Sequence, residues 1–479
     1  MNLRYVLHQV GNILKVEAAL LSLPLVISII YGESTVYAFL IPIALLLAIG
    51  FLLTYKKDID RTIYAKEGFA VVGISWIFMS LFGSLPFVIS QEIPNFINAF
   101  FETVSGFSTT GASILEDVES LSKGMLFWRS LTHWIGGMGI LVFFLAIMPQ
   151  TSARSMFIIK AESPGPKPEK IVSRVKHTAR ILYAIYFFLT LLEIILLLFK
   201  IPLFDSVVHA FGTAGTGGFS IWNQSIAHYN SVYVEVVITV FMILFGINFS
   251  LFYLMLIGDI KKALKSEELR AYLLIILVSI ALITINTFSM FTSFGEALRY
   301  SSFQVGSIIT TTGYSTTDFN LWPTFSQWIL ILLMFVGASA GSTGGGIKVS
   351  RIVIFFKQVF KEIRYLLHPR QISTITFEKK AVDESTLKGI NSYFIAYMII
   401  LALATLLVSI EGHDLVSTFT SVIACFNNIG PGLGIVGPSG NYASFTDLSK
   451  LTLVFTMLAG RLEIFPILLL FSPRMWLKN

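Results

Sequence analysis

Ser108-Thr109-Thr110-Gly111-Ala112-Ser113 recurs in altered form three more times along the 479 residues. The copy nearest to it in kind is Thr310-Thr311-Thr312-Gly313-Tyr314-Ser315. Thr216-Gly217-Gly218-Phe219-Ser220 keeps the central glycine, the aromatic or small residue after it, and the serine. Asn428-Ile429-Gly430-Pro431-Gly432 keeps the glycine and an uncharged lead-in. The central glycines stand 107, 95 and 117 residues apart, longer than a solenoid period but right for a domain-sized membrane repeat.

Hydrophobic residues make up 55% of the chain and charged ones 13%, against roughly 45–50% and about 25% in a soluble domain. Apolar runs at Ala18 to Ile30, Val36 to Thr54, Ile181 to Phe199, Val232 to Ile257, Ala271 to Ile285, Phe394 to Val408 and Leu451 to Ala459 approach, with their flanks, the roughly 20 residues that span a bilayer. The first run is expected to be a retained span and not a signal peptide, because further apolar runs follow with no small-residue cleavage pattern. Cys425 is the single cysteine, so an internal disulfide and a cysteine metal cluster are excluded, and a buried thiol is expected.

The net charge of +6 does not point to nucleic acid, because the basic residues mark one membrane face. Segments 1–15, 55–67, 149–180, 258–270, 347–388 and 473–479 hold 28 of the 34 Lys and Arg. The intervening segments 91–124, 201–230, 291–324 and 411–448 hold only Lys123 and Arg299. This asymmetry places the first set, and both termini, in the cytoplasm. All four glycine motifs then enter from outside.

The pattern predicts an all-α integral membrane protein. Residues 1–66 form two N-terminal helices outside the repeat, and four repeats follow at 67–160, 161–260, 261–380 and 381–479. Each reads as a spanning helix, a short amphipathic stretch, the glycine motif and a second spanning helix. The helix pairs are 67–90 with 125–148, 178–200 with 231–258, 268–290 with 325–366, and 388–410 with 449–472. The stretches Asn95 to Ser108, Leu203 to Thr213, Gly295 to Thr310 and Asp414 to Asn427 are too short to cross. Non-helical backbone at membrane depth is tolerated only where protein buries it or it lines water, so a re-entrant hairpin around a pore is expected at each. Ala161 to Lys170, with Pro164, Pro166 and Pro168, cannot be a helix interior. No segment is large enough for a soluble domain, so nucleotide sensing would require a separate polypeptide.

A cation leaving water needs its hydration oxygens replaced, and rings of backbone carbonyls do this without the tight hold of a carboxylate. Glycine supplies the unusual backbone angles, Thr and Ser hydroxyls add uncharged oxygen, and the short helix would aim its carbonyl end at the ring. No acidic residue lies within the four motifs. Gly341 to Lys348 imitates a phosphate-binding loop, but Ile347 and Val349 stand where Lys and Ser or Thr are needed. Gly212, Gly215, Gly217 and Gly218 lack the dinucleotide-binding spacing and context.

The small-residue run Gly337 to Gly346 interrupts the second helix of the third repeat and is read as a flexible constriction below the ring, with close helix packing as the alternative. Arg461 stands near the middle of a predicted span, where a charge is costly and functional by default. It is expected near the pore axis as a barrier to cations, with an ion pair to Glu463 as the alternative. Glu102, Glu193, Glu235 and His209 are read as satisfied structural contacts without a role.

These motifs, with Trp128-Arg129-Ser130 before Gly136-Gly137-Met138-Gly139, Gly341-Ser342-Thr343 before Gly346-Ile347-Lys348, and Gly460-Arg461, resemble the TrkH and KtrB potassium transporters over essentially the whole chain. The two extra N-terminal helices make the chain similar to the TrkH branch. The resemblance implies ion-coordinating carbonyls on Thr109, Thr110, Thr216, Gly217, Thr311, Thr312, Asn428 and Ile429, beside the filter glycines Gly111, Gly218, Gly313 and Gly430. It implies an intramembrane gate over Gly337, Gly341, Gly344, Gly345 and Gly346. Plant relatives that favour sodium carry Ser at the first filter glycine, where this chain has Gly111. A homodimer in the bacterial inner membrane is implied, with one pore per subunit and a cytosolic TrkA-type nucleotide-binding regulator on the basic face.

The expected function is potassium uptake through a selective pore, with potassium as substrate and no bound cofactor, membrane lipid around it and no nucleic acid partner. A secondary transporter coupling potassium to sodium or protons is the alternative. An enzyme is not expected, because the seven histidines form no paired constellation.

Overall fold

The computed structural model describes residues 1–55, 65–139, 175–371 and 373–476. The proline segment Ala161 to Lys170 and the end of the helix expected at 125–148 lie outside them. Among the described residues, six helices are long and apolar enough to cross a membrane, or seven if one bent pair counts as a span. Their exposed side chains are large and apolar, as at Phe187, Phe188, Leu274, Leu277, Ile285, Leu403 and Leu406. Lipid is as apolar as these groups, so exposure there carries no hydrophobic cost.

Leu3–Ile30 and Val36–Thr54 pack on each other as the N-terminal pair. Four units follow, each with an outer helix, a short helix, a loop and an inner helix. The outer helices are Ala65–Gly83, Val175–Leu197, Glu267–Thr287 and Glu384–Ser409. The short helices are Phe96–Phe107, Leu203–Gly215, Phe294–Ile309 and Leu415–Phe426, within two residues of the sequence expectation. Three begin at side-chain caps: Asn95 accepts from Ile97 and Asn98, Ser293 from Glu296, and Asp414 from Ser417. Such caps satisfy N–H groups that the helix itself leaves free. The Ser417 hydroxyl and N–H also hold the Asp414 carboxyl below the usual range.

The inner helices differ from expectation. Continuous helices were expected in every unit but the third, yet among the described residues the first inner helix stops short and the other three are interrupted. Lys123–Gly137 stops before Gly139, which is left-handed at φ 86°. Val232–Phe245 and Phe249–Leu256 meet at 93°. Thr324–Val336 and Val349–Leu367 flank the glycine-rich loop. Asp447–Arg461 ends at Glu463 and Ile464, left-handed at φ 59° and 67°, before Phe465–Leu470. Packing explains two of these sites. A Cβ on Gly136 would collide with the Phe107 carbonyl, and one on Gly460 with the Phe426 carbonyl. Glycine thus lets inner helices one and four press on the ends of their own short helices. Among the described residues, a two-stranded hairpin, Thr376–Phe377 with Lys380–Ala381, is the β exception to the helices.

Candidate functional site

The four short helices end in loops of one conformation. Thr109, Thr216, Thr311 and Asn428 are left-handed at φ 56°, 54°, 60° and 57°. Two residues later Gly111, Gly218, Gly313 and Gly430 are left-handed at 77°, 75°, 83° and 92°. Left-handed geometry was expected at the glycines alone. For a β-branched threonine it costs about 1–3 kcal/mol, a strain that persists only where the surroundings enforce it. Asn428 tolerates it better, so the fourth copy is the least strained of the four.

The loops interlock in a closed cycle. A Cβ on Gly111 would strike the Gly217 carbonyl, one on Gly218 the Thr312 carbonyl, and one on Gly313 the Ile429 carbonyl. A Cβ on Gly430 would come within 2.7 Å of the Thr110 carbonyl, which closes the circle. Each loop therefore leans on the middle residue of the next. Thr109, Thr110, Thr216, Thr311, Thr312, Asn428 and Ile429 are fully buried. Asn428 Nδ2 also donates to Thr110 Oγ1 at 3.0 Å and to the Met457 carbonyl at 3.0 Å.

Side chains behind the ring hold it. Glu102 and Arg129 form a buried pair at 2.7 Å. Glu102 accepts from Ser113 Oγ at 3.0 Å and from the Ile114 N–H at 3.0 Å. Arg129 also donates to the Ser220 carbonyl at 3.2 Å and lies over the Phe219 ring at 3.9 Å. The pair thus braces loops one and two together. His209 Nε2 lies 3.1 Å from Ser220 Oγ, and Gln304 Nε2 donates to Thr316 Oγ1 at 3.4 Å. The hydroxyl of Tyr314 donates to the His209 carbonyl at 3.1 Å, and that of Tyr442 to the Gly430 carbonyl at 2.8 Å.

Glu102 and His209, read from the sequence as satisfied structural contacts, are that, and the structure adds that both brace the loops. A register signal could have found them. Glu102, His209, Gln304 and Ser421 each stand nine residues before their glycine, each polar within an apolar stretch.

Beneath the ring lies the loop from Gly337 to Lys348. Gly337, Gly341 and Gly346 are left-handed at φ 69°, 71° and 76°. The Gly345 N–H donates to Thr311 Oγ1 at 2.7 Å. A Cβ on Gly344 would meet the Thr310 carbonyl at 2.8 Å, and one on Gly345 would strike that of Asn427. The loop is thus seated against the ends of short helices three and four. It also docks on the bend of inner helix two, where the Ser339 N–H donates to the Gly246 carbonyl and the Phe249 N–H to the Gly341 carbonyl, both at 3.0 Å.

Arg461 reaches this loop. Its guanidinium donates to the Thr343 carbonyl at 2.8 Å, to the Gly137 carbonyl at 2.6 Å, and to the Gly136 carbonyl. Glu463 pairs with the Arg351 guanidinium of the helix that leaves the loop. Direct contacts therefore link the loops of the ring to the glycine-rich loop, and that loop to Arg461.

A family model described as TrkH, cation transport protein, matches residues 36–478. The chain is 35% identical over 484 residues to the Trk system potassium uptake protein TrkH of Salmonella typhimurium, covering 99% of this chain and 100% of the relative. It is 32% identical over 485 residues to the Trk system potassium uptake protein TrkH of Halomonas elongata, covering 100% of both. The crystal structure of the potassium transporter TrkH from Vibrio parahaemolyticus matches with a TM-score of 0.90 and 31% identity, covering 100% of each chain.

Proposed function

The chain belongs to the TrkH family of cation transport proteins, and from that premise we propose that it takes up potassium through the ring of four loops. It is a membrane transport protein and not an enzyme, as are its named relatives. The closed cycle of contacts among Gly111, Gly218, Gly313, Gly430 and their neighbouring carbonyls carries the reading. A ring in which every loop is propped by the next holds its oxygens at a fixed spacing. Neutral carbonyls replace hydration oxygens without trapping the ion. The four short helices add the negative ends of their dipoles beneath the ring.

The selectivity assignment covers Thr109, Thr110, Gly111, Thr216, Gly217, Gly218, Thr311, Thr312, Gly313, Asn428, Ile429 and Gly430. The gate assignment covers Gly337, Gly341, Gly344, Gly345, Gly346 and Arg461. Contact between the loop and the ring supports it, because a plug seated there closes the path an ion would take. The repeats run over 67–160, 161–260, 261–380 and 381–479, with 1–66 outside them.

The assembly is a homodimer in the bacterial inner membrane, with both termini in the cytoplasm and a TrkA-type nucleotide-binding partner on the basic face. The exposed stripe Phe356, Val359, Phe360 and Ile363 on helix Val349–Leu367 supports a subunit contact. Flux of potassium and of sodium into liposomes containing the purified protein tests the substrate. Potassium entry well in excess of sodium is expected, and equal entry of the two would reject the selective ring.

A further inference from the structure

We infer that Glu268 is the latch that holds the loop 337–348 beneath the ring, and that Glu378 at the hairpin tip sets the position of that latch. The inference rests on reading that loop as the gate. Glu268 is the second residue of outer helix three and is 5% exposed. One of its oxygens, Oε1, accepts from the Ala340 N–H at 2.7 Å and from the Ser350 N–H at 3.1 Å. Ala340 lies in the first turn of the loop, and Ser350 is the second residue of the helix that follows it. A single carboxylate oxygen therefore staples the two ends of the loop together. The Ser350 N–H is among those the helix leaves unpaired, and a charged acceptor makes the stronger kind of hydrogen bond.

The carboxylate is itself positioned from the basic face. At the hairpin turn Glu378 and Lys379 are both left-handed, at φ 51° and 61°, in a turn that Asn-Gly would adopt with less steric cost. The strained conformation places Glu378 Oε1 against the start of outer helix three. There it accepts from Ser266 Oγ at 2.7 Å and from the Glu268 N–H at 3.1 Å. Lys357, on the helix after the loop, pairs with Glu267 and donates to the Thr376 carbonyl at 2.7 Å. Two carboxylates thus act in series, each capping the next helix. Displacing the exposed hairpin residues Thr376, Lys379 and Lys380 moves the backbone that carries Glu268.

Potassium flux into liposomes holding the full-length protein without a regulator tests this. Glu268→Ala should raise basal flux at least tenfold, equivalent to about 1.4 kcal/mol, with potassium preference over sodium unchanged because the ring is untouched. Glu268→Gln keeps an acceptor oxygen and should raise flux by roughly threefold, since its hydrogen bonds lose only the charge. Glu378→Ala should give a smaller rise than Glu268→Ala, and the double variant should match Glu268→Ala alone, because the two act in series. Deletion of Ala338 to Gly345 is the control. Flux that rises on deletion but not with Glu268→Ala overturns the latch and leaves the gate. Flux unchanged by the deletion as well rejects the gate itself. A rise accompanied by lost potassium preference places the effect in the ring and overturns the latch, and additive effects of the two substitutions overturn the series. Should Glu268→Ala not insert, Glu268→Gln decides, and flux equal to wild type overturns the latch.

Discussion

The guanidinium of Arg461 donates to the carbonyl of Thr343 at 2.8 Å, joining the inner helix of the fourth unit to the loop that interrupts the third. Its further bonds to Gly136 and Gly137 tie the same side chain to the first unit. One residue therefore does two jobs beneath the ring. It holds the loop by hydrogen bonds, and in the proposed pore it also sets a positive charge beside the ion path.

Arg461→Ala should raise potassium flux. A unit charge repels a cation by about 2 kcal/mol at roughly 8 Å and effective ε near 20, which slows passage by about 30-fold. Loss of the Thr343 bond frees the loop and adds to the increase. Arg461→Lys keeps the charge but loses the planar fork that reaches three carbonyls. Its flux should fall between wild type and Ala, whereas charge repulsion alone would leave it at the wild-type value. Flux per protein in liposomes, measured beside melting temperature, separates these outcomes. A destabilised Ala variant with unchanged unit flux would show that Arg461 serves packing alone.

Much of this arrangement was legible in the sequence, and the limits have physical causes. Repeated TTG-like motifs between apolar runs located the four short helices, because amphipathic length and the glycine are local signals. The end of inner helix one at Gly137 and the breaks in inner helices two and four were not visible. Gly246-Ile247-Asn248 looks like an ordinary part of an apolar run, and the bend there is stabilised by a loop nearly a hundred residues away. Left-handed Thr109, Thr216 and Thr311 were equally hidden, since threonine has no intrinsic preference for that geometry and the ring imposes it. Arg129 was noticed as part of a motif, but its pairing with Glu102 depends on tertiary contact.

Gly111→Ser should admit sodium and lower the potassium-to-sodium flux ratio by at least about tenfold, the effect of roughly 1.4 kcal/mol. The added Cβ must displace the Gly217 carbonyl, and serine adopts the left-handed angle of Gly111 only under strain. Flux ratios in liposomes check it. An unchanged ratio in folded protein would remove Gly111 from the selective ring.

Arg129→Met should destabilise the protein by about 3–5 kcal/mol, because it leaves Glu102 charged and unpaired in a buried site. The double variant Glu102→Gln with Arg129→Met should recover much of that loss, since no charge remains to be compensated. Thermal unfolding in detergent compares the two. Equal loss in the single and double variants would mean that packing over Phe219 matters more than charge.

Deleting Ala338 to Gly345 should increase unregulated potassium flux, because those residues seat against the ends of short helices three and four. Insertion is checked by gel filtration of the purified protein. Lower flux than wild type in correctly inserted protein would make the run a packing element.

A ring that selects by fixed neutral oxygens needs no second ion. The most direct measurement is the reversal potential of purified protein in a bilayer with unequal potassium on the two sides, recorded with and without imposed sodium and proton gradients. The value should follow the potassium gradient alone and stay fixed when sodium or pH is changed on one side. A reversal potential that shifts with the sodium or proton gradient would contradict the passive selective pore and establish coupled transport instead.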